Sequence, residues 1–123
     1  MPNTISFGPV TLNPGTRDFG PANLADSDTN ALLTIDRTIP GGFNSLTAST
    51  TCQISIYQSN DGGNTWDQRA SSGFQGGIII NRGQQANIAA VSVSLAPGTG
   101  RQARAEVVIA GSAVAVQGTL AIT

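Results

Sequence analysis

The sequence has no histidine and no lysine in 123 residues, and a single cysteine, Cys52, with no partner for an intramolecular disulfide. Without imidazole, histidine-ligated metal centres and Ser-His or Cys-His nucleophile arrangements are excluded. Cys52 stands in an alternating apolar run, where a small buried group is expected rather than a reactive thiol. Charged residues are only 11% of the chain, against about 25% in an average soluble domain. So little charge suits a domain whose surface is partly covered by other protein. The net charge of −1 offers no electrostatic footprint for nucleic acid. No apolar run approaches the ~18 residues of a membrane-spanning helix. The opening Met-Pro-Asn-Thr-Ile-Ser-Phe-Gly lacks a basic segment followed by an apolar one, so synthesis in the cytoplasm without a cleaved signal is expected.

All six cations are arginine, at positions 17, 37, 69, 82, 101 and 104. That bias runs in the direction of protein interfaces, where arginine is enriched and lysine depleted, although GC-rich codons give the same bias.

Helical periodicity does not persist anywhere, whereas period-two alternation recurs. Cys52, Ile54 and Ile56 alternate with Gln53, Ser55 and Tyr57. Ala89, Val91, Val93 and Leu95 form a second set, Ala103, Ala105, Val107 and Ile109 a third, and Val114, Val116, Leu120 and Ile122 a last one. Each set puts one strand face on a core. Turn formers such as Asn13-Pro14-Gly15, Pro40-Gly41-Gly42, Asp61-Gly62-Gly63, Asn81-Arg82-Gly83 and Pro97-Gly98 separate these runs at spacings of roughly 8 to 15 residues. The pattern predicts a single all-β domain over residues 1–123, an antiparallel sandwich of eight or nine strands, immunoglobulin-like or jelly-roll. Strands are predicted near 4–12, 17–24, 30–38, 49–58, 65–70, 76–81, 86–95, 102–110 and 113–123. Phe7-Gly8-Pro9-Val10 is echoed by Phe19-Gly20-Pro21-Ala22, and because proline cannot donate to a ladder both segments are expected at sheet edges or bulges. The terminal stretches, Met1 to Leu12 and Ala113 to Thr123, either pair within the domain or add a strand to a neighbour.

Residues 59 to 66 read Ser-Asn-Asp-Gly-Gly-Asn-Thr-Trp. Ser59, Asp61, Gly62, Gly63, Thr65 and Trp66 resemble the Asp-box, a hairpin motif of sialidase propellers and some β-sandwiches. The physical basis is local: the Asp61 carboxylate can accept backbone N–H groups of its own turn, and the glycines can take positive φ. In the families that carry the box it lies away from the active site, so no catalytic residues are assigned. A sialidase needs several boxes and a propeller much longer than this chain, and the single glutamate, Glu106, leaves no Tyr-Glu nucleophile pair in view. The acids Asp18, Asp26, Asp28, Asp36, Asp61, Asp67 and Glu106 fall in no catalytic pattern. Asp26-Ser27-Asp28 starts like a calcium loop but has Ala31 at the sixth position and Arg37 at the twelfth, so a surface turn is expected, with no metal and no cofactor.

Tyr57 and Trp66 flank the octet. With an even hairpin loop they share the face opposite Ile54 and Ile56, where they can form a stacking platform for a glycan; with an odd loop Trp66 turns into the core. With few aromatic residues available, core or half-buried packing of Trp66 is the favoured expectation.

Ala31-Leu32-Leu33-Thr34-Ile35-Asp36-Arg37-Thr38, the Ser59 to Trp66 octet and Arg101-Gln102-Ala103-Arg104-Ala105-Glu106-Val107 together resemble small virion proteins of tailed bacteriophages. That resemblance implies a decoration-type β-sandwich in a virus particle: a non-enzymatic capsid decoration protein that forms a homo-oligomer or binds the major capsid protein or other virion proteins. The alternative is a carbohydrate-binding or adhesion module using Tyr57 and Trp66. Neither reading involves nucleic acid or a membrane.

Overall fold

The computed structural model describes residues 3–77 and 88–123. The strands are β1 (Asn3–Leu12), β2 (Gly15–Asn23), β3 (Asn30–Asp36), β4 (Thr51–Ser59), β5 (Asp67–Gln75), β6 (Ile88–Ser94), β7 (Gln102–Ala110) and β8 (Val114–Ile122), with one short 3-10 turn at Phe43–Ser45. They form two four-stranded antiparallel sheets, ordered β1-β8-β3-β6 and β2-β7-β4-β5. Among the connections between these strands, only β4 to β5 stays within one sheet; every other step crosses from one sheet to the other. That order is the jelly roll, in which two Greek keys are wound together. An immunoglobulin sandwich, whose first two strands pair in one sheet, has a different order.

The alternating apolar sets meet between the sheets. Cys52, Ile54 and Ile56 of β4, Ala103, Ala105, Val107 and Ile109 of β7, and Val114, Val116, Leu120 and Ile122 of β8 are all buried there, with Leu33 and Ile35 of β3. The central strands β7, up to its exposed last residue Ala110, and β8 alternate between buried and half-buried residues, while the edge strand β5 leaves most of its side chains exposed. This gradient follows from position in the sheet, since an edge strand has a neighbour on one side only.

The two Phe-Gly-Pro segments behave as the proline argument requires. β1 and β2 are edge strands of different sheets on the same side of the sandwich, and each has a register irregularity at its proline, between Phe7 and Val10 and between Phe19 and Ala22. The Gly8–Pro9 and Gly20–Pro21 peptides are cis. The Phe7 and Phe19 rings stack with centroids 4.0 Å apart and planes 13° from parallel, closing that side of the core.

One expected strand boundary is corrected. The strand expected at 65–70 runs instead over Asp67–Gln75; of the strand expected at 76–81, Gly76 and Gly77 lie outside β5 and 78–81 lie beyond the described residues. The Ser71-Ser72-Gly73 segment has turn composition, yet it pairs through Ser71↔Ser55 and Gly73↔Gln53, because an edge strand facing solvent tolerates small polar residues. The turn at Asn81-Arg82-Gly83 also lies outside the described residues. Of the two alternatives for the terminal stretches, pairing within the domain is the one seen: β1 and β8 pair with each other from Asn3↔Ile122 to Leu12↔Val114.

Candidate functional site

The octet closes the β4–β5 hairpin. The last ladder pairs are Tyr57↔Gln68 and Gln58↔Asp67, so the loop between Gln58 and Asp67 is even, spanning residues 59–66. Ser59 is buried and works in both directions: its hydroxyl donates to Asp61 Oδ1 at 2.7 Å and accepts the Gly63 N–H at 2.9 Å. Asp61 Oδ1 also accepts the Thr65 N–H at 2.9 Å, and Oδ2 accepts the Thr65 hydroxyl at 2.5 Å. These bonds, led by the Thr65 and Ser59 hydroxyls, pull the Asp61 carboxyl down from its ordinary value of 3.8 to about 2. Gly62 and Gly63 carry φ of 73° and 95°, the left-handed region that side chains resist. The Trp66 indole N–H donates to Gly63 O at 3.1 Å, and Gly62 N–H reaches across to Gly100 O at 3.0 Å. The loop thus caps its own polar groups and is tied to the loop before β7.

Even loop length puts Tyr57 and Trp66 on the outer face of the β2-β7-β4-β5 sheet, opposite the buried Ile54 and Ile56. Both are half-buried, so Trp66 packs against the sheet surface and does not enter the core between the sheets. What covers it is Arg104 of β7: the guanidinium carbon lies 4.6 Å from the Trp66 ring centroid and 5.0 Å from that of Tyr57. Arg104 pairs with Tyr57 across the β4–β7 ladder, which is what brings them together. Asp18 Oδ2 stands 3.7 Å from Arg104 Nη1, a partly exposed and loose pair. The Tyr57 hydroxyl lies 3.3 Å from Gln68 Oε1 and 3.4 Å from Glu106 Oε1. Burial first, and then the neighbouring Glu106 carboxylate, raise the Tyr57 phenol above its ordinary value. The face is therefore a mixed aromatic, cationic and acidic patch in which the aromatic ring surfaces already hold a cation.

The remaining sequence candidates separate. Asp28 is buried and its Oδ2 accepts the Ala25 N–H at 2.7 Å, so this carboxylate serves its own turn. Among the described residues no three His, Cys, Asp or Glu side chains gather in a way that would hold a metal ion. Cys52 is buried, and desolvation pushes its thiol up to about 12, the inert setting expected for a core cysteine. Asp36 binds the hydroxyl and N–H of Thr38, in that order of effect, and its carboxyl is lowered accordingly.

Sequence reading missed the work done by arginine inside the fold. Arg37 is buried, with Nε donating to Asn44 Oδ1 at 2.9 Å and Nη2 to the carbonyls of Gln75 and Gly77, each at 2.7 Å, over the Phe74 ring. Burial lowers its guanidinium from the ordinary value. Arg101 is likewise buried, donating to the carbonyls of Ala96, Ala25 and Asp28 and so joining two loops at one end of the sandwich. Buried Gln58 clamps that same region, with Nε2 donating to Ala96 O and Oε1 accepting Ala96 N–H. A guanidinium presents five donors in a rigid planar fork, against three clustered on the single nitrogen of a lysine ammonium, and so reaches carbonyls on separate segments with less ordering. The absence of lysine was the available signal, and two of the six arginines, Arg37 and Arg101, are buried.

No family model matches the chain, and no curated protein matches it. Among solved structures, a chain in the structure of infectious bursal disease virus, Gt strain, is similar in fold over 99% of this chain, with 16% identical residues and a TM-score of 0.48. The chain spans 31% of the length of that protein.

Proposed function

We propose that this protein is a non-enzymatic virion structural component, a jelly-roll domain that decorates or joins parts of a virus particle. The observation that carries the reading is the strand order, β1-β8-β3-β6 against β2-β7-β4-β5. Jelly rolls serve viral capsids, lectins and cupins, and a fold shared so widely argues by analogy only. The choice among them rests on the site: no histidine for a cupin-type metal centre, low charge, and the resemblance of three segments to tailed-phage virion proteins. Capsid decoration, with the major capsid protein as partner, is the specific form of the proposal. Mass spectrometry of density-gradient-purified particles from the source tests it. The protein is expected as a stoichiometric particle component, and its absence from purified particles, with the gene lying away from virion genes, refutes the reading.

A second reading, a carbohydrate-binding or adhesion module, draws on the placement of Tyr57 and Trp66 on one outward face. Their ring surfaces are covered by Arg104, so a stacked pyranose would have to displace the guanidinium. Binding on a glycan array that disappears in Trp66→Ala favours this reading; absence of binding to any glycan removes it.

A further inference from the structure

Among the described residues four strands have a neighbour on one side only, β1 and β6 in one sheet and β2 and β5 in the other, and they are not alike. β1 and β2 are blunted by Pro9 and Pro21 and by the irregularities beside them. β5 carries Asp67, Arg69 and Gly73, with a bulge opposite Ile56 and Tyr57. β6, Ile88-Ala89-Ala90-Val91-Ser92-Val93-Ser94, has no proline, no glycine, no charge and an unbroken register with β3 from Asn30↔Ser94 to Asp36↔Ile88. Native proteins seldom leave an edge of this kind unprotected unless something pairs with it.

The direction of its backbone groups follows from one hydrogen bond. Leu95 N–H donates to Thr29 O at 2.8 Å, so residues at odd positions along β6 turn their N–H and C=O toward β3 and those at even positions turn theirs outward. Ile88, Ala90, Ser92 and Ser94 therefore present the free edge. Arg69 Nη2 reaches Ser94 O at 3.3 Å, at the end of the strand, and among the described residues no strand pairs with the rest. The inward side chains tell the same story: Ala89, Val91 and Val93 are only half-buried, whereas the inward residues of β3, β7 and β8 are buried. Beside them the two large apolar side chains that are most exposed, Leu32 and Ile88 at 42% and 46%, stand on β3 and β6.

We infer that β6 is a dimerisation edge, pairing antiparallel with β6 of a second copy about a twofold axis through Val91, so that the β1-β8-β3-β6 sheet runs on into its partner. The sequence is self-complementary in that register. Ala90 of one copy lies opposite Ser92 of the other, and both point their N–H and C=O groups across the axis, giving reciprocal bonds that the twofold repeats. Val91 meets its own copy, and Ala89 meets Val93, on the inward face, which extends the apolar layer across the junction. No charge is brought opposite a like charge. A second copy is the occupant because the twofold register makes β6 its own complement, with Val91 facing itself, Ala89 facing Val93 and small Ala90 facing small Ser92, and sets no charge against its copy. The pairing stands apart from the virion reading, because it concerns the protein alone in solution.

The test uses light scattering across a dilution series of the purified chain, with circular dichroism and thermal melts as the control for folding. The wild type is expected as a dimer. Ser92→Pro removes an outward donor and leaves the ladder to β3 intact, which an edge strand accepts, and is expected to raise the dimer Kd by about tenfold or more while the protein stays folded. Should that variant misfold, the double variant Ala90→Lys and Ser92→Lys on exposed positions sets lysines opposite each other and is expected to yield folded monomer. A wild type that is monomeric at every concentration, or a dimer unchanged in both variants, overturns the inference. Particle association with a monomeric wild type would leave the virion proposal standing and this one refuted.

Discussion

The Arg104 guanidinium lies across the Trp66 ring at 4.6 Å from its centroid, on the outer face of a sheet and one strand away from the hairpin that carries the indole. The contact joins β7 to the β4–β5 turn and explains why a large aromatic residue can sit outside the core without standing free in solvent. A double-mutant cycle of Trp66→Ala and Arg104→Ala, read by urea unfolding, is expected to give a coupling of about 0.5–2 kcal/mol. Trp66→Ala alone is expected to cost less than the ~3–5 kcal/mol of a fully buried aromatic. A cost in that upper range with no coupling to Arg104 would place the indole in the core instead.

The Asp61 carboxylate gives the turn a pH signature. Its carboxyl sits at about 2 in the folded protein against an ordinary 3.8, so its contribution is fully present above pH ~4 and is lost as pH falls through about 2. Asp61→Asn is therefore expected to melt below the wild type at neutral pH, with the difference shrinking between pH ~4 and ~2. A melting difference that stays constant over that range would show that the carboxylate charge is not what stabilises the turn.

Gly62 and Gly63 differ in what surrounds them. A Cβ on Gly62 meets nothing within 4 Å, whereas one on Gly63 would come 2.9 Å from Gln102 Oε1. Both have positive φ, so each alanine variant is expected to lose roughly 1 kcal/mol from backbone strain. Gly63→Ala should lose more, because Gln102 must also move and its bond to Asn23 Oδ1 at 2.8 Å is disturbed. Equal costs in urea unfolding would remove the Gln102 contact from the account.

Arg101 donates to the carbonyls of Ala96, Ala25 and Asp28. Arg101→Lys keeps the charge but loses the fork; Ala96 O keeps Gln58 and Ala25 O keeps the Asp28 N–H, so the buried Asp28 carbonyl is the one left short of a donor, at an expected cost of about 1–3 kcal/mol. A chemical-denaturation midpoint close to that of the wild type would show that a lysine or water can replace it.

Cys52, with its thiol pushed up to about 12 in the core, is expected to resist alkylation at pH ~8 in the folded protein and to react promptly once unfolded. Rapid native labelling would mean that β4 opens readily at that position.

Much of this architecture was legible without coordinates because its cause is local. Period-two alternation in Cys52 to Ile56, Ala103 to Ile109 and Val114 to Ile122 names the inward residues of β4, β7 and β8, since adjacent strand side chains must point to opposite faces. The prolines of the two Phe-Gly-Pro segments mark edge strands because a missing donor cannot sit mid-sheet. The Ser59–Trp66 turn is nearly self-sufficient, its bonds running between residues two to four apart.

What tertiary structure alone decided is set by partners far apart in sequence. Alternation is identical in every antiparallel sandwich, so the choice of jelly roll over immunoglobulin order awaited the pairing of β1 with β8 and β2 with β7. That the strand expected at 65–70 runs on through Ser71-Ser72-Gly73 is decided only by β4 lying beside it. Arg37, Arg101 and Arg104 have no local signature at all: their carbonyl and ring partners come from loops and strands elsewhere in the chain. Local chemistry therefore determined the strands, their inward faces and the hairpin turn, and only long-range pairing could decide which strands adjoin, where Arg37, Arg101 and Arg104 find their partners, and that among the described residues β6 has a strand neighbour on one side only.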